Sequence, residues 1–223
     1  MSPSRAKRRE LELDDAELAR VREAVRRAEQ RTAGEIVTYV VGACDDYPEA
    51  TWRAAVIGGL VGLLAAAGAH DLIGAWGGPL SLWAALPATG GAALAAALAR
   101  VPAIRRSLVS PEDLDRRVGA RAEAAFLEEE VFATRGRSGI LLFLALFEHR
   151  AIVLGDAGIN RAVEPERWKT IVEGLVSGIR EGRAVDALVH AVEACGRLLE
   201  EHGVELEPGD VDELSNVPRV RDE

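Results

Sequence analysis

The sequence predicts an α/β domain, a small mixed β-sheet flanked by helices, that is interrupted by a two-helix transmembrane hairpin. Three observations support this prediction. The first is a long apolar stretch: the 46 residues between Arg53 and Arg100 contain only two ionisable side chains, His70 and Asp71. The second is the run Glu35–Val41, which is rich in β-branched residues and is typical of a buried strand. The third is a further group of strand and helix patterns after the apolar stretch.

The chain begins with a polar segment of mixed charge, residues 1–13, which we expect to be a flexible arm. Asp14 or Asp15 is then expected to cap a helix that ends near Arg31, because a short polar side chain precedes an apolar stripe of helical period. That stripe consists of Leu18, Val21, Val25 and Ala28. Gly34 ends the helix, since glycine readily adopts the left-handed conformation found just past helix ends.

The apolar stretch is long enough for two membrane-spanning helices, because one span needs about 20 apolar residues. We predict a first span at Trp52–Trp76, a turn at Gly77–Pro79 and a second span at Leu80–Val101. Gly58 and Gly62 form a small-xxx-small pair, which allows two helices to approach closely in lipid. A soluble all-helical core is the alternative. A soluble helix of this length should carry a charged face, however, and neither segment has one.

Positively charged side chains flank the predicted hairpin and are missing from its turn. They are Arg5, Lys7, Arg8, Arg9 and Arg53 before it, and Arg100, Arg105, Arg106, Arg116 and Arg117 after it. The positive-inside rule therefore places both termini and the α/β domain in the cytoplasm. The predicted location is the inner (cytoplasmic) membrane, which the chain crosses twice.

Further elements of the α/β domain are predicted beyond the hairpin. In order they are a helix from Pro111 to Thr134, strands at Ile140–Leu146 and Ala151–Leu154, and helices at Pro165–Arg180 and Ala184–His202. The first two strands should be parallel and the third antiparallel to the second. The predicted segments are an N-terminal arm (1–13), the first part of the α/β domain (14–49), the hairpin (50–104), the second part of the domain (105–204) and an acidic tail (205–223).

Net charge and cysteine spacing argue against two classes of function, nucleic-acid binding and a zinc or redox site. The net charge of −9 and the absence of a basic stripe with aromatic residues argue against a nucleic-acid partner. The two cysteines, Cys44 and Cys195, lack the spacing of a zinc or redox site. The partners expected from the sequence are the lipid bilayer and a membrane protein.

Charged residues are predicted to meet at the two ends of the sheet. The expected strand directions bring Glu35, Arg137 and Asp156 to one end, where carboxylate oxygens could bind Ca²⁺ and the arginine could bind phosphate. A salt bridge between Arg137 and an acid is the alternative, worth about 0–1 kcal/mol if exposed. Asp45 and Asp46 should lie at the other end, towards the membrane, either in a solvated loop or as a second and weaker candidate that binds Ca²⁺ or contacts phospholipid head groups through Ca²⁺.

Several segments of the chain together match the pattern of a known family: the first helix, Gly34–Val37, Arg137–Leu146, Glu148–Val153, Gly155–Ile159, Trp168–Val172 and the final helix. These segments resemble the TPM domain, also called the TPM phosphatase domain, and are most similar to its bacterial membrane-inserted branch. The resemblance covers about two-thirds of the chain and omits the hairpin.

The resemblance implies an α/β sandwich with a small mixed sheet. Members of the family are linked to photosystem repair, acid phosphatase activity, calcium binding and service as auxiliary subunits of membrane receptors. We therefore expect a non-catalytic accessory or assembly factor for a membrane complex, with a metal-dependent phosphatase-like hydrolase as the alternative. The sequence favours the first because it shows no nucleophilic triad, Walker loop or dinucleotide-binding motif.

Overall fold

The structure, a computed structural model, describes residues 14–73, 80–202 and 214–221. This part of the chain divides into two compact units. One is a hairpin unit that comprises residues 46–114, and the other is an α/β unit built from the segments on either side of it.

The helices and strands are numbered in chain order. The described helices are α1 (Asp15–Glu29), α2 (Pro48–Ile73), α3 (Leu80–Leu98), α4 (Pro102–Ser107), α5 (Pro111–Glu128), α6 (Ala157–Ala162), α7 (Pro165–Arg180) and α8 (Ala184–Glu201). The strands are β1 (Ile36–Val41), β2 (Ile140–Ala145), β3 (Arg150–Gly155) and β4 (Arg219–Arg221). A turn of 3₁₀-helix at Val131–Ala133 follows α5.

The four strands form one mixed sheet in the order β3-β2-β1-β4. Strand β1 is parallel to β2 and to β4, and β3 is antiparallel to β2. Every residue of β1 and β2 is buried, which explains why both read as continuous apolar runs and not as alternating ones. The predicted mixed α/β fold and the predicted strand directions are confirmed.

Two apolar layers cover the sheet. On one face α1 and α8 pack over β1 and β2 and α7 packs over β3, with Val25, Leu175, Val192 and Leu199 among the completely buried side chains. On the other face α5 contributes Val118, Ala122 and Ala125, which pack against Tyr39 and Phe143. The sheet is thus enclosed between helices, and its strand ends are left for loops that carry polar groups.

Helix α1 begins at the predicted cap. The Asp14 carboxylate accepts a hydrogen bond from the Glu17 backbone N–H at 2.7 Å, and the Glu17 carboxylate accepts one from the Asp14 N–H at 3.0 Å. This reciprocal capping box satisfies two backbone donors that the first helical turn leaves without intrahelical partners.

Two elements of the α/β unit were not predicted. Helix α6 lies between the predicted strand Ala151–Leu154 and the predicted helix Pro165–Arg180, where no element was predicted, and β4 lies within the stretch assigned to an acidic tail. Strand β4 pairs with Tyr39–Val41 of β1, and the Arg219 guanidinium Nε donates to the Glu129 carboxylate at 2.6 Å. A three-residue strand with two arginines contains no apolar run by which the sequence could predict it. Its position is determined by these tertiary contacts.

In the hairpin unit, α2 and α3 pack closely and antiparallel. A Cβ added at Gly58 would lie 2.3 Å from the Gly91 carbonyl oxygen, and one added at Gly62 would lie 2.0 Å from the Pro87 carbonyl oxygen. The absence of side chains at these positions lets the two backbones touch, as expected for a small-xxx-small pair.

Helix α2 is long and apolar enough to cross a membrane over the segment Pro48–His70, and only 6% of the most apolar part of that segment is buried. A core helix of a soluble protein would be mostly buried, so this exposure is unusual. The other apolar helical segment found among the described residues, Trp83–Leu98, is shorter than a span. The second span therefore stays a prediction, and the predicted turn at Gly77–Pro79 lies outside the described residues.

Candidate functional site

The candidate site lies where the first residues of β1 and β2 meet the last residue of β3. The Ile140 N–H donates to the Glu35 carbonyl oxygen at 2.8 Å, and the Asp156 N–H donates to the Gly139 carbonyl oxygen at 2.8 Å. These bonds place Glu35, Gly139 and Asp156 side by side, each one residue beyond the end of one of three neighbouring strands. The structure thus brings Glu35 and Asp156 to one end of the sheet, where the sequence predicted them.

Asp156 has two structural contacts. One carboxylate oxygen, Oδ1, accepts from the Ala157 N–H at 2.6 Å and caps α6. The other, Oδ2, lies 2.7 Å from the Arg137 Nε, which makes an ion pair by distance although its angles are not those of a hydrogen bond. The Asp156 side chain is 5% exposed and that of Arg137 is 53% exposed. The predicted alternative, a salt bridge between Arg137 and an acid, is therefore present.

The loop before β2 is held tightly against α6. Arg137 adopts a positive φ of 51°, and its carbonyl oxygen accepts from the Gly158 N–H at 2.9 Å. A Cβ added at Gly158 would lie 2.5 Å from that same oxygen. Glycine at position 158 therefore allows the approach that positions the arginine beside Asp156.

Sequence reasoning missed several buried polar residues at the same end of the sheet. The Glu29 carboxylate accepts from the Ile36 N–H at 2.9 Å, and the Thr134 hydroxyl accepts from the Ser138 N–H at 3.1 Å. The Ser138 hydroxyl donates to the Ala33 carbonyl oxygen at 3.4 Å. Glu29 satisfies a backbone N–H at the start of β1, and the other two side chains satisfy backbone groups in loops. Such contacts leave no spacing signal in a sequence.

The contacts described above restrict which ligands Glu35, Asp156 and Arg137 could bind at this end of the sheet. No group of three or more His, Cys, Asp or Glu side chains that could hold a metal ion occurs within residues 14–73, 80–202 and 214–221. Calcium prefers six to eight oxygen ligands, so Glu35 and Asp156 would need carbonyl oxygens or water to complete a site. Arg137 already pairs with Asp156, which competes with its predicted binding of phosphate.

The second candidate pair lies after the opposite end of β1. The Asp45 carboxylate is 2.8 Å from the Arg117 Nη1 in a salt bridge. Asp46 begins the hairpin unit, and its backbone carbonyl accepts from Arg105. Asp45 is thus engaged by an arginine, and a Ca²⁺ ion here would have to compete with that pair.

A fully buried carboxylate, Glu148, was also missed because it occupies a short turn between β2 and β3. Its Oε1 accepts from the Cys44 N–H at 2.7 Å, and the residue has 0% exposure. This bond joins the β2–β3 turn to the loop after β1, so Glu148 stabilises the end of the sheet from which the chain enters the hairpin.

The two cysteines should react very differently with thiol reagents. Cys195 is completely buried on α8, and burial raises the pKa of its thiol to about 12. Because the thiolate is the reactive form, a raised pKa leaves almost none of it at pH 8. Cys44 is half-buried. We expect a maleimide to label the native protein once, at Cys44, and twice after denaturation. Rapid labelling of Cys195 in a native Cys44→Ser variant would contradict this prediction.

Comparison with known proteins adds information on the fold. One similar structure is the NMR structure of the BA42 protein from the psychrophilic bacterium Bizionia argentinensis, with a TM-score of 0.56 and 18% sequence identity. The match covers 94% of this chain and 96% of that one. No protein-family model matches the chain, and no curated protein matches it significantly. The comparison thus supports a shared α/β fold, and function must be argued from the residues.

Proposed function

We propose that the chain is a membrane-anchored protein of the TPM type, in which a cytoplasmic α/β domain acts as a non-catalytic accessory or assembly factor for a membrane protein complex. The observation that carries the proposal is where the apolar surface lies. Nearly all large apolar side chains that are exposed belong to the hairpin unit, whereas in the α/β unit they are limited to Leu127 and Val217 among the described residues. Apolar patches of this extent mark membrane or protein contacts.

Both α2 and α3 are proposed to cross the bilayer. Helix α3 has 19 residues, which at 1.5 Å per residue is about 28 Å and close to the hydrocarbon thickness of about 30 Å. It exposes Leu86, Leu94 and Leu98 while its small residues pack on α2. A helix that pairs with a spanning helix through glycine contacts and directs leucines outwards is suited to lipid on its remaining faces.

A non-catalytic role is favoured because the buried polar side chains form hydrogen bonds with backbone groups of the domain. The Asp156, Glu29 and Glu148 carboxylates accept from a backbone N–H at the start of α6, at the start of β1 and in a loop, respectively, and the Ser138 hydroxyl donates to a carbonyl. These contacts hold loops and helix ends, as in any stable domain. A domain of this kind, held at the membrane surface, is suited to binding another membrane protein.

The alternative is a metal-dependent phosphatase-like hydrolase with its site at Glu35, Asp156 and Arg137. One observation favours it: Asp156 Oδ2 is buried and has no hydrogen bond of good geometry, so it retains capacity to bind a cation such as Ca²⁺. The Arg137 guanidinium is half exposed beside it and could contact a phosphate group.

The anchoring proposal predicts a specific labelling pattern in intact cells. In a Cys44→Ser background, Gly78→Cys should react with a membrane-impermeant maleimide from outside, and Ser215→Cys should react only after the membrane is permeabilised. If α2 alone crosses the membrane, both positions will lie on the same side of it and will label together. Labelling of Ser215→Cys alone in intact cells would reverse the proposed orientation. The first of these patterns would contradict the two-span topology, and the second would keep two spans and contradict the cytoplasmic placement of the α/β domain.

A further inference from the structure

We propose that the free edge of β3 binds an extended segment of the membrane partner as an added antiparallel strand of the sheet. The inference rests on the proposed accessory role and deepens it, because it names the docking surface and the kind of segment that fits there. Addition of a strand to a sheet edge is a general mode of peptide recognition, in which backbone hydrogen bonds hold the segment and side chains select it.

Strand β3 lies at one edge of the sheet, and its successive residues direct their backbone groups to opposite sides of the strand. The Asp156 N–H, which follows β3, donates to the carbonyl oxygen of Gly139, which precedes β2. Every second residue counted back from Asp156 therefore faces β2. The backbone groups of Ala151, Val153 and Gly155 point the other way, towards the free side.

Two of these three residues have no hydrogen-bond partner on the free side. The Gly155 carbonyl oxygen accepts from the Asn160 side-chain amide. No described residue donates to or accepts from the outward N–H and C=O groups of Ala151 and Val153. These two residues are about 7 Å apart along the strand, which is the spacing at which one extended segment forms successive pairs of hydrogen bonds.

The β3 edge also lacks the features that normally prevent pairing at an exposed edge. The stretch Ala151–Leu154 contains four apolar residues with no charge and no proline, and its pairing with β2 is continuous, without a bulge. Natural sheets usually protect such an edge with charged residues, proline or very short strands. The other edge is protected in this way, because β4 has three residues, of which two are arginines.

Apolar side chains beside the edge define the segment that it fits. Ile152 and Leu154 are half-buried on the α5 face of the sheet, while Ala151 and Val153 lie on the face that α7 covers. In an antiparallel pair, segment residues opposite Ala151 and Val153 direct their N–H groups to β3 and their side chains to the α7 face. The alternate residues direct their side chains to the α5 face, beside Ile152 and Leu154. The segment should therefore carry apolar residues at every second position.

A second copy of this chain does not fit the edge. Two copies of β3 would pair about a two-fold axis, with the strands antiparallel and the two sheets pointing in opposite directions. In each copy β1 ends at Val41 and the hairpin unit begins at Asp46. The two hairpins would therefore start from opposite ends of the joined sheet and could not enter one bilayer from the same side. Strand β4 of another copy is also unsuitable, because Val220 is its one residue whose backbone groups face outwards.

The test uses the full chain in detergent and a short fluorescent peptide in which threonine and isoleucine alternate between terminal lysines. The affinity is measured by fluorescence anisotropy, and the isoleucines should take the α5 face. Methylation of the threonine backbone nitrogens then removes the N–H groups that face β3, and we expect the affinity to fall about tenfold or more. Methylation of the isoleucine nitrogens removes outward-facing groups instead, and should change the affinity less than about twofold.

Variants of the two edges test the same contact from the protein side. Val153→Pro removes an outward N–H of β3 and should weaken peptide binding about fivefold or more. Val220→Pro is the matched control, because it removes the outward N–H of the other edge and should leave binding unchanged. In a Cys44→Ser background, slow labelling of the buried Cys195 reports that each variant is folded. If Val153→Pro unfolds, Ile152→Lys places a charge beside the edge at a half-buried position and should also weaken binding.

Failure of the edge site and failure of the accessory role give different results. No binding of the unmethylated peptide at millimolar concentration, or equal affinities of the two methylated peptides, would overturn the edge site. Weakening by isoleucine methylation alone would overturn the antiparallel direction and support a parallel strand at the same edge. If the edge site fails while the protein withstands alkaline extraction from membranes and shows no phosphatase turnover, the accessory role stands without this surface. Metal-dependent turnover would refute the accessory role whatever the peptide does.

Discussion

Replacement of Gly62 by valine is expected to separate the two helices of the hairpin unit. A Cβ at this position would lie 2.0 Å from the Pro87 carbonyl oxygen and 2.7 Å from the Pro87 carbonyl carbon. These are backbone atoms, which cannot rotate away as a flexible side chain would. The helices must move apart, at a cost of about 1–3 kcal/mol for overpacking.

A disulfide between the helices measures this separation. A Cβ built at Gly59 lies 3.6 Å from the Ala92 Cβ, within the usual Cβ–Cβ range of a disulfide of about 3.5–4.5 Å. In a Cys44→Ser background, the pair Gly59→Cys and Ala92→Cys should therefore oxidise rapidly within one chain. Adding Gly62→Val should slow this oxidation about tenfold or more, in line with the expected cost.

The matched control for this prediction is Gly68→Val on the same helix. A Cβ at Gly68 would meet no atom of the described residues within 4 Å, so the same substitution adds the same bulk without a contact there. Equal oxidation rates for Gly62→Val, Gly68→Val and the parent pair would show that α2 and α3 do not pack as described. Cys195 should not interfere, because burial holds its thiol pKa at about 12.

The sequence predicted an element best where a single physical requirement, such as burial on both faces or close contact between helices, restricts which residues fit. Strands β1 and β2 are enclosed on both faces, and only apolar, β-branched or aromatic residues fit such positions, so both strands were predicted. Their directions followed from the helix between them, and those directions placed Glu35 and Asp156 at one end. The close contact between the hairpin helices was likewise indicated by Gly58 and Gly62, since bulky residues would prevent it.

The remaining features depend on contacts between residues distant in sequence. Glu148 and Glu29 were missed because a carboxylate that accepts from loop N–H groups looks, in a sequence, like any surface acid. Strand β4 was missed because its two arginines look, in the sequence, like part of a charged tail. The contact that positions the strand, between Arg219 and Glu129, joins residues that are distant in sequence. The role of Asp156 was predicted only as two alternatives, a metal ligand or an ion pair with Arg137, and its role as a helix cap was missed because α6 itself was not predicted.

Asp156 is the residue at which structural and catalytic roles can be separated by experiment. Its replacement by alanine removes the α6 cap and the partner of Arg137, and is expected to destabilise the α/β unit by about 2 kcal/mol. Asparagine retains a capping oxygen and loses only the ion pair, so Asp156→Asn should cost about 1 kcal/mol or less. The exposed Glu123 of α5 provides a control, and its replacement by alanine should have little effect.

Cys195 offers a readout confined to the α/β unit. In a Cys44→Ser background, labelling of this buried thiol requires the unit to open, so its rate follows the free energy of opening. Asp156→Ala should accelerate labelling roughly 30-fold and Asp156→Asn fewer than about fivefold. An unchanged rate in Asp156→Ala would show that the cap and the ion pair contribute nothing to stability.

The same variants decide between the two proposed functions. An accessory factor should show no phosphatase turnover above background in detergent, with or without Ca²⁺ or Mg²⁺, in the parent protein or in Asp156→Asn. A hydrolase should show metal-dependent turnover that Asp156→Asn abolishes while the Cys195 labelling rate stays close to that of the parent. A destabilised domain would lose turnover and would also expose Cys195 to labelling. Loss of turnover while Cys195 stays protected from labelling can therefore arise only from the chemistry of the Asp156 carboxylate. That outcome would make Asp156 a metal ligand or catalytic group and would replace the accessory role with a hydrolytic one.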